Sequence, residues 1–248
     1  LRQELEEWGC QFSASTDSAI IAQLLANAPG LDWAERVQYL MRRAQGAYSL
    51  VVLIKNSLIA IRDPRGVRPL CVGMMSDGWI VASESCALDH LGAELVREVE
   101  PGEAIIIDDH GMRTLYKGSE RTRAFCTFEY IYFSRPDSII NGKLTYSLRQ
   151  AMGAQLAREH PVDADIVIGV PDSATAAAVG YAQEAGIPYN EGLLKNRYVG
   201  RTFIEPDQRV RDLGVKLKFN TLPEVLDGKR VIVVDDSIVR GTTTPHVV

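Results

Sequence analysis

The run VIVVDDSIVRGTTT, from Val231 to Thr244, constrains the fold of this chain more than any other stretch. Four β-branched residues in succession leave no polar face for solvent, so they read as a strand buried on both sides, and such strands belong to parallel sheets covered by helices. In open α/β sheets ligands sit beyond the carboxyl ends of the strands, which is where Asp235 and Asp236 fall. Ser237, Arg240, Gly241, Thr242 and Thr243 follow; they offer hydroxyls, a cation and the amides of a helix N-terminus, a set suited to a phosphate. Two carboxylates beside a phosphate repel it unless they face something else. Sugar hydroxyls, or a magnesium ion carrying a second phosphate group, would satisfy them, so a phosphorylated sugar bearing a diphosphate meets every condition. The bland reading of the same residues is a solvated acidic turn ahead of a helix.

A second anion site is suggested by IGVPDSATAAA. The strand within ADIVIGV runs into Pro171, and Asp172 and Ser173 are expected to cap a helix of small residues, PDSATAAAVGYAQEAG, whose first amides suit a pyrophosphate. An ordinary capped helix is the competing reading. From Lys195 to Lys218 there are seven Lys or Arg against three acids, with little apolar periodicity. A long polar segment inside a compact domain reads as a lid, which would bring cationic donors to a polyanion and exclude water. A nucleic-acid patch would need interleaved aromatics for base stacking, and this segment has few.

The N-terminal half has a different texture. Helical patterns over LRQELEEW, about Asp17 to Asn27 and Asp32 to Ala44, precede the short strands AYSLVVLI, SLIAI, GWIVAS and EAIIID, separated by turn signals such as KN, SDG and DDHG. The pattern implies an α+β domain with antiparallel strands, then an α/β domain with a parallel sheet, divided near SERTRAFC into residues 1–124 and 125–248. Composition narrows the function. At 248 residues and 46% hydrophobic, with no run of 18 apolar residues, the chain reads as soluble, cytoplasmic and free of membrane spans. A net charge of −5 argues against general nucleic-acid or lipid-headgroup binding. Cys10, Cys71, Cys86 and Cys126 are scattered without a CxxC pair, so disulfides are not expected. The first residue is Leu1 rather than Met, and TTTPHVV opens a helix at the last residues, so the sequence reads as an internal piece of a longer protein.

VIVVDDSIVRGTT resembles the phosphoribosylpyrophosphate (PRPP) motif of type I phosphoribosyltransferases. FEYIYFSRPDS (Phe128 to Ser138), GVPDSATAAAVGYA (Gly169 to Ala182) and LLKNRYVGRTFI (Leu193 to Ile204) narrow the resemblance to the glutamine PRPP amidotransferase family. RDPRGVRPL (Arg62 to Leu70), ASESCALDHLG (Ala82 to Gly92) and EVEPGEAIII (Glu98 to Ile107) are similar to that family's glutaminase domain, an Ntn-hydrolase αββα sandwich. The resemblance therefore implies a partial Ntn sandwich followed by a truncated phosphoribosyltransferase domain.

It also implies roles. Asp17, in SASTDSAII, would contact the α-amino group of glutamine, although it could equally be a residue opening the following helix. Asp172, Ser173, Asp235, Asp236, Ser237, Arg240, Gly241, Thr242 and Thr243 would bind PRPP, and Ser173, Asp235 and Asp236 would hold Mg2+. Lys195, Arg197, Tyr198 and Arg201 would belong to the lid. The family's nucleophile is an N-terminal cysteine. No residue here fills that role, so it is expected upstream and the piece alone is expected to be inactive. Cys126 stands where one branch of the family ligates a [4Fe-4S] cluster, whose other ligands would lie beyond Val248; a plain buried cysteine is the alternative. The implied reaction is glutamine plus PRPP plus water to 5-phosphoribosylamine, glutamate and pyrophosphate, the first committed step of purine synthesis, in a homo-oligomer. The alternatives are a PRPP-binding regulator without catalysis, and a salvage phosphoribosyltransferase, which would leave the glutaminase-like half unexplained.

Overall fold

The structure, a computed structural model, describes residues 1–118, 122–196, 198 and 219–238. It divides into two compact units, Leu1–Cys126 and Thr127–Val248.

The first unit begins with helices α1 (Arg2–Glu7), α2 (Asp17–Asn27) and α3 (Trp33–Arg43). The start of α3 is fixed by its own side chains: Asp32 accepts the Glu35 N–H at 2.9 Å, and Glu35 accepts the Leu31 N–H at 2.7 Å. Arg42 and Arg43 sit in its last turn, where cations suit the helix dipole. Val37, Leu40 and Met41, at helical spacing, form its buried stripe.

Strands β1 (Ser49–Ile54), β2 (Ser57–Arg62), β6 (Glu103–Asp108) and β7 (Gly111–Lys117) make one antiparallel sheet in the order β1-β2-β6-β7. Strands β3 (Cys71–Met75), β4 (Gly78–Ala82) and β5 (Glu94–Glu98) make a second, in the order β4-β3-β5. Their packing follows from the period-two alternation of side chains. Ile59, Ile61, Ala104 and Ile106 turn toward Leu5, Leu24, Leu25, Val37 and Leu40 of the helices. The alternate residues Ala60 and Ile105 pack instead on Leu70, Val72 and Val99 of the second sheet's side. Cys71, Ile80 and Ala82 on that sheet's other face meet Leu88 of α4 (Ser85–His90). The layer order is helix, sheet, sheet, helix. Burial pushes the Cys71 thiol up to about 12, so it stays a protonated packing group.

Three strands of this unit, β3, β5 and β7, escape a pattern reading because Gly73 interrupts one, charges flank another and the third is half-exposed. Buried polar groups fill the turns between them. Asp63, fully buried, accepts the Arg65 and Val67 N–H groups at 2.9 Å each. Arg97 donates twice to Glu103, at 2.7 and 2.9 Å, and Thr114 Oγ1 donates to the same carboxylate at 2.8 Å.

The second unit opens with a π-helical turn, Glu129–Phe133, followed by the short strands β8 (Ile139–Ile140) and β9 (Lys143–Leu144) and the helix α5 (Thr145–Glu159). Arg149 of α5 ties the turn down, donating to the Tyr130 and Ser134 carbonyls at 2.7 Å each. Then come β10 (Ile166–Gly169), α6 (Thr175–Ala185), β11 (Leu193–Lys195), β12 (Phe219–Thr221), α7 (Pro223–Leu226) and β13 (Val231–Val234). β10 and β13 are parallel neighbours, as their apolar runs imply, with Ile166 opposite Val231 and Gly169 opposite Val234. Helices α5 and α6 cross at backbone contact. A Cβ on Gly153 would lie 1.8 Å from the Ala177 carbonyl oxygen, and one on Gly180 would lie 2.0 Å from that of Gln150, so only glycine fits at either position. α6 ends at Gly186 in the left-handed conformation, a common helix stop.

Candidate functional site

The register of β10 on β13 decides which loops meet. At the strands' amino ends Asp165 accepts the Arg230 N–H at 2.8 Å and its guanidinium at 2.9 Å, while Arg230 also pairs with Asp163. Arg230 holds the Asp165 carboxyl below the usual carboxylate range by these hydrogen bonds. With the starts aligned, the carboxyl ends finish level, and the loops after Gly169 and after Val234 emerge together. The Val170 N–H donates to the Val234 carbonyl at 2.9 Å, one step past the paired residues. Glycine at 169 lets α6 approach: a Cβ there would sit 3.0 Å from the Ala178 Cβ and 3.1 Å from the Thr175 Cα.

One side-chain bond ties the two loops to each other, and others brace it. Ser173 Oγ donates to Asp236 Oδ2. Ser237 Oγ donates to Asp236 Oδ1 at 2.5 Å, and the Asp236 N–H donates to Asp235 Oδ1 at 2.8 Å. On the other flank Lys195 Nζ pairs with Asp172 Oδ2. The peptide between Pro171 and Asp172 is cis. Ser173, Asp235, Asp236 and Ser237 are half-buried, within reach of solvent but not dispersed in it.

The expected residues other than Tyr198 fall into three groups. Asp172, Ser173, Lys195, Asp235, Asp236 and Ser237 are brought into one linked cluster by these contacts. Arg197, Arg201, Arg240, Gly241, Thr242 and Thr243 lie outside the described residues. Asp17 and Cys126 belong to the first unit. Asp17 is the first residue of α2, exposed, with Thr16 in the cap position and no side-chain cap bond. Cys126 is half-buried, and its N–H donates to the Val67 carbonyl at 3.0 Å.

The structure corrects two local expectations. Asp172 and Ser173 do not cap α6; its N-cap is Ala174, in helical conformation and without a side-chain bond, because both polar side chains are drawn away to Lys195 and Asp236. Lys195 sits on strand β11, paired through β12 with Phe219, rather than in an irregular loop. Sequence reading also missed the Asp165–Arg230 tie that sets the register. Its only signal is a charge of each sign at the start of the two apolar runs, in DAD and KR. Tyr198 is fully exposed, and its N–H donates to Asn196 Oδ1 at 3.0 Å.

Chemically, the cluster offers a hydroxyl and two carboxylates as hard oxygen donors. Among the described residues no three His, Cys, Asp or Glu side chains converge as a metal cage. A pair of carboxylates and a serine instead fits Mg2+, which keeps several waters and completes its shell with substrate phosphates. The same observation does not fit an iron–sulfur cluster within the described residues, since four thiolates are needed and Cys126 has no sulfur partner among them.

A glutamine amidotransferase domain model matches residues 1–90. The amidophosphoribosyltransferase of Bacillus subtilis is 47% identical over all 248 residues, and that of Archaeoglobus fulgidus is 50% identical over the whole chain. A solved B. subtilis glutamine PRPP amidotransferase in complex with ADP and GMP superposes with a TM-score of 0.90 over 98% of the chain. Along its whole length this chain is similar to amidophosphoribosyltransferases. It spans about half the length of the curated relatives it matches, 52% of the B. subtilis and 55% of the A. fulgidus enzyme. The mouse amidophosphoribosyltransferase is 46% identical over the whole chain and is likewise about half covered, at 53%. The helix–sheet–sheet–helix unit is accordingly the mixed α/β, Ntn-type arrangement of these amidotransferases.

Proposed function

We propose that the complete protein is an amidophosphoribosyltransferase that converts glutamine, PRPP and water to 5-phosphoribosylamine, glutamate and pyrophosphate, opening purine synthesis. The observation that carries this reading is the linked set Ser173, Asp235, Asp236 and Ser237 at the carboxyl ends of parallel strands, in a chain 47% identical along its whole length to an amidophosphoribosyltransferase. Residues 1–124 would be the glutaminase part, with Asp17 on the α-amino group of glutamine, and residues 125–248 a phosphoribosyltransferase part.

In the second part, Asp235 and Asp236 would face the ribose hydroxyls, and Ser237, Arg240, Gly241, Thr242 and Thr243 the 5-phosphate. The loop carrying Asp172 and Ser173 would receive the diphosphate through its backbone amides. Lys195, Arg197, Tyr198 and Arg201 would cover the ligand and exclude water. Ammonia released from glutamine attacks C1 of PRPP; the C1–O bond breaks with its electrons going to pyrophosphate, and the new amine gives up a proton. Positioning and charge stabilisation suffice for this step, so no general base in this chain is required. Mg2+, held by Ser173, Asp235 and Asp236, would offset the charge of the leaving diphosphate. No step is assigned to an iron–sulfur cluster. A cytoplasmic homo-oligomer acting on small molecules, with neither nucleic acid nor membrane as partner, completes the reading; no helix among the described residues is long and apolar enough to cross a membrane.

The test is PRPP turnover by the complete protein with an ammonium salt in place of glutamine. Release of 5-phosphoribosylamine and pyrophosphate is expected. PRPP binding with no turnover under either nitrogen source would contradict the enzyme and favour a regulator.

A further inference from the structure

The pair between Lys195 and Asp172 is asymmetric in a way the hydrogen-bond geometry alone does not convey. Lys195 is anchored: it ends β11, its strand is paired to β12 with Lys195 opposite Phe219, and Leu193 two residues earlier is buried with Ile166, Ile168 and Phe219. The side chain of Lys195 is 32% exposed. Asp172 is on the turn after β10, with its side chain 75% exposed and free to swing into solvent. The cation is therefore the fixed member and the carboxylate the one that can leave. Asp172 also adds a negative charge next to a loop whose neighbour, Ser173, is already bonded to the Asp236 carboxylate. A diphosphate arriving at this loop meets acids on both sides and a lysine that is already neutralised.

We propose that Asp172 is an internal stand-in for a substrate phosphate: it holds the Lys195 ammonium when the site is empty and is displaced by the diphosphate, so that it weakens ligand affinity rather than contributing to it. This rests on the PRPP reading above and reverses the role expected for Asp172 within it. An exposed ion pair is weak, which suits a contact meant to be exchanged; its loss to an incoming ligand lowers affinity by no more than about fivefold. The Lys195 contact that replaces it involves a phosphate of higher charge and is stronger.

The experiment is calorimetric titration of the complete protein with inorganic pyrophosphate in the presence of Mg2+, for the wild type, Asp172→Asn, Lys195→Met and the double variant. Circular dichroism checks that each is folded. Asp172→Asn is expected to tighten pyrophosphate binding about twofold to fivefold. Lys195→Met is expected to weaken it by about tenfold or more. In the Lys195→Met background, Asp172→Asn is expected to change affinity less than about twofold, because no cation remains to be released. Weaker binding by Asp172→Asn would mean that Asp172 holds the ligand or its metal, and an equal gain in both backgrounds would reduce its effect to general charge repulsion; either overturns the proposal while leaving the site reading intact. Failure of the wild type to bind pyrophosphate would overturn both.

Discussion

The two units use the same residue types for opposite ends. In the first, charged side chains are taken out of solvent and held in place: Asp63 closes a turn by accepting two N–H groups, buried Arg62 donates to the Arg68 and Val99 carbonyls, and buried Glu103 joins the Glu100 N–H to the side chains of Arg97 and Thr114. In the second, the acids at the carboxyl ends of β10 and β13 are half-buried or exposed and bonded mainly to other side chains. Backbone donors do not move away, whereas a serine or lysine can exchange its partner for a ligand. Burial and partner type, rather than the presence of charge, separate the residues that hold the fold from those of the proposed site.

The sharpest way to break this comparison is to perturb each unit alone. Gly153→Ala forces a Cβ into the Ala177 carbonyl, which is backbone and cannot rotate aside, so α5 must shift off α6. The second unit should lose about 3 kcal/mol, the upper end for overpacking. Hydrogen exchange should show β10 and β13 losing protection while β2 and β6 keep theirs. Glu103→Gln acts on the other side. It leaves Arg97 without its anion in a partly buried position, and the first unit should lose about 2 kcal/mol by denaturant titration, with the second unit unchanged.

Acid should discriminate more gently. Burial alone would raise the Glu103 carboxyl, but the Arg97 hydrogen bond, the Glu100 N–H and Thr114 outweigh it, and its folded value lies below the ordinary one. A depressed carboxylate contributes stability that is fully present above its unfolded value, about 4.3, and is lost as pH falls through the folded value. Stability of the first unit should therefore decline below about pH 4.3, and in Glu103→Gln that part of the slope should be absent. The smallest effect is expected at Arg230→Met. Its partners Asp163 and Asp165 are exposed, so the midpoint of the second unit in denaturant should barely move, although the strand register it helps to set governs where Asp235 falls.

How much of this could be read from residue order differs between neighbouring elements. β10, β13 and α6 are legible because their composition is uniform, β-branched runs in the two strands and alanines and glycine against them, although only β10 is buried throughout and β13 is half-buried up to Val234. α5 is not, although it is the longest helix among the described residues. Its buried face is Thr145, Arg149, Gly153 and Ala157, polar or small at every fourth position, whereas Met152 and Leu156 point outward. An apolar stripe therefore marks the wrong face, and the residues that matter are selected for closeness to α6 and for bonding the turn at 129–133. In the candidate site, the acids and Ser173 were visible from their place at the ends of two strands. The partners they choose were not, because Ser173 and Asp236 are 63 residues apart and Lys195 is 23 from Asp172. Such pairings depend on a strand register that Asp165 and Arg230, two ordinary surface charges when seen in order, help to set.

The central claim is that Asp235 and Asp236, gathered with Ser173 at the ends of β10 and β13, form the PRPP site. The most direct measurement is the affinity of the complete protein for PRPP with Mg2+ by calorimetry, before and after the joint substitution Asp235→Asn and Asp236→Asn. The account predicts a loss of about 100-fold or more, with glutamine binding unchanged. Unchanged PRPP affinity in a folded double variant would contradict it.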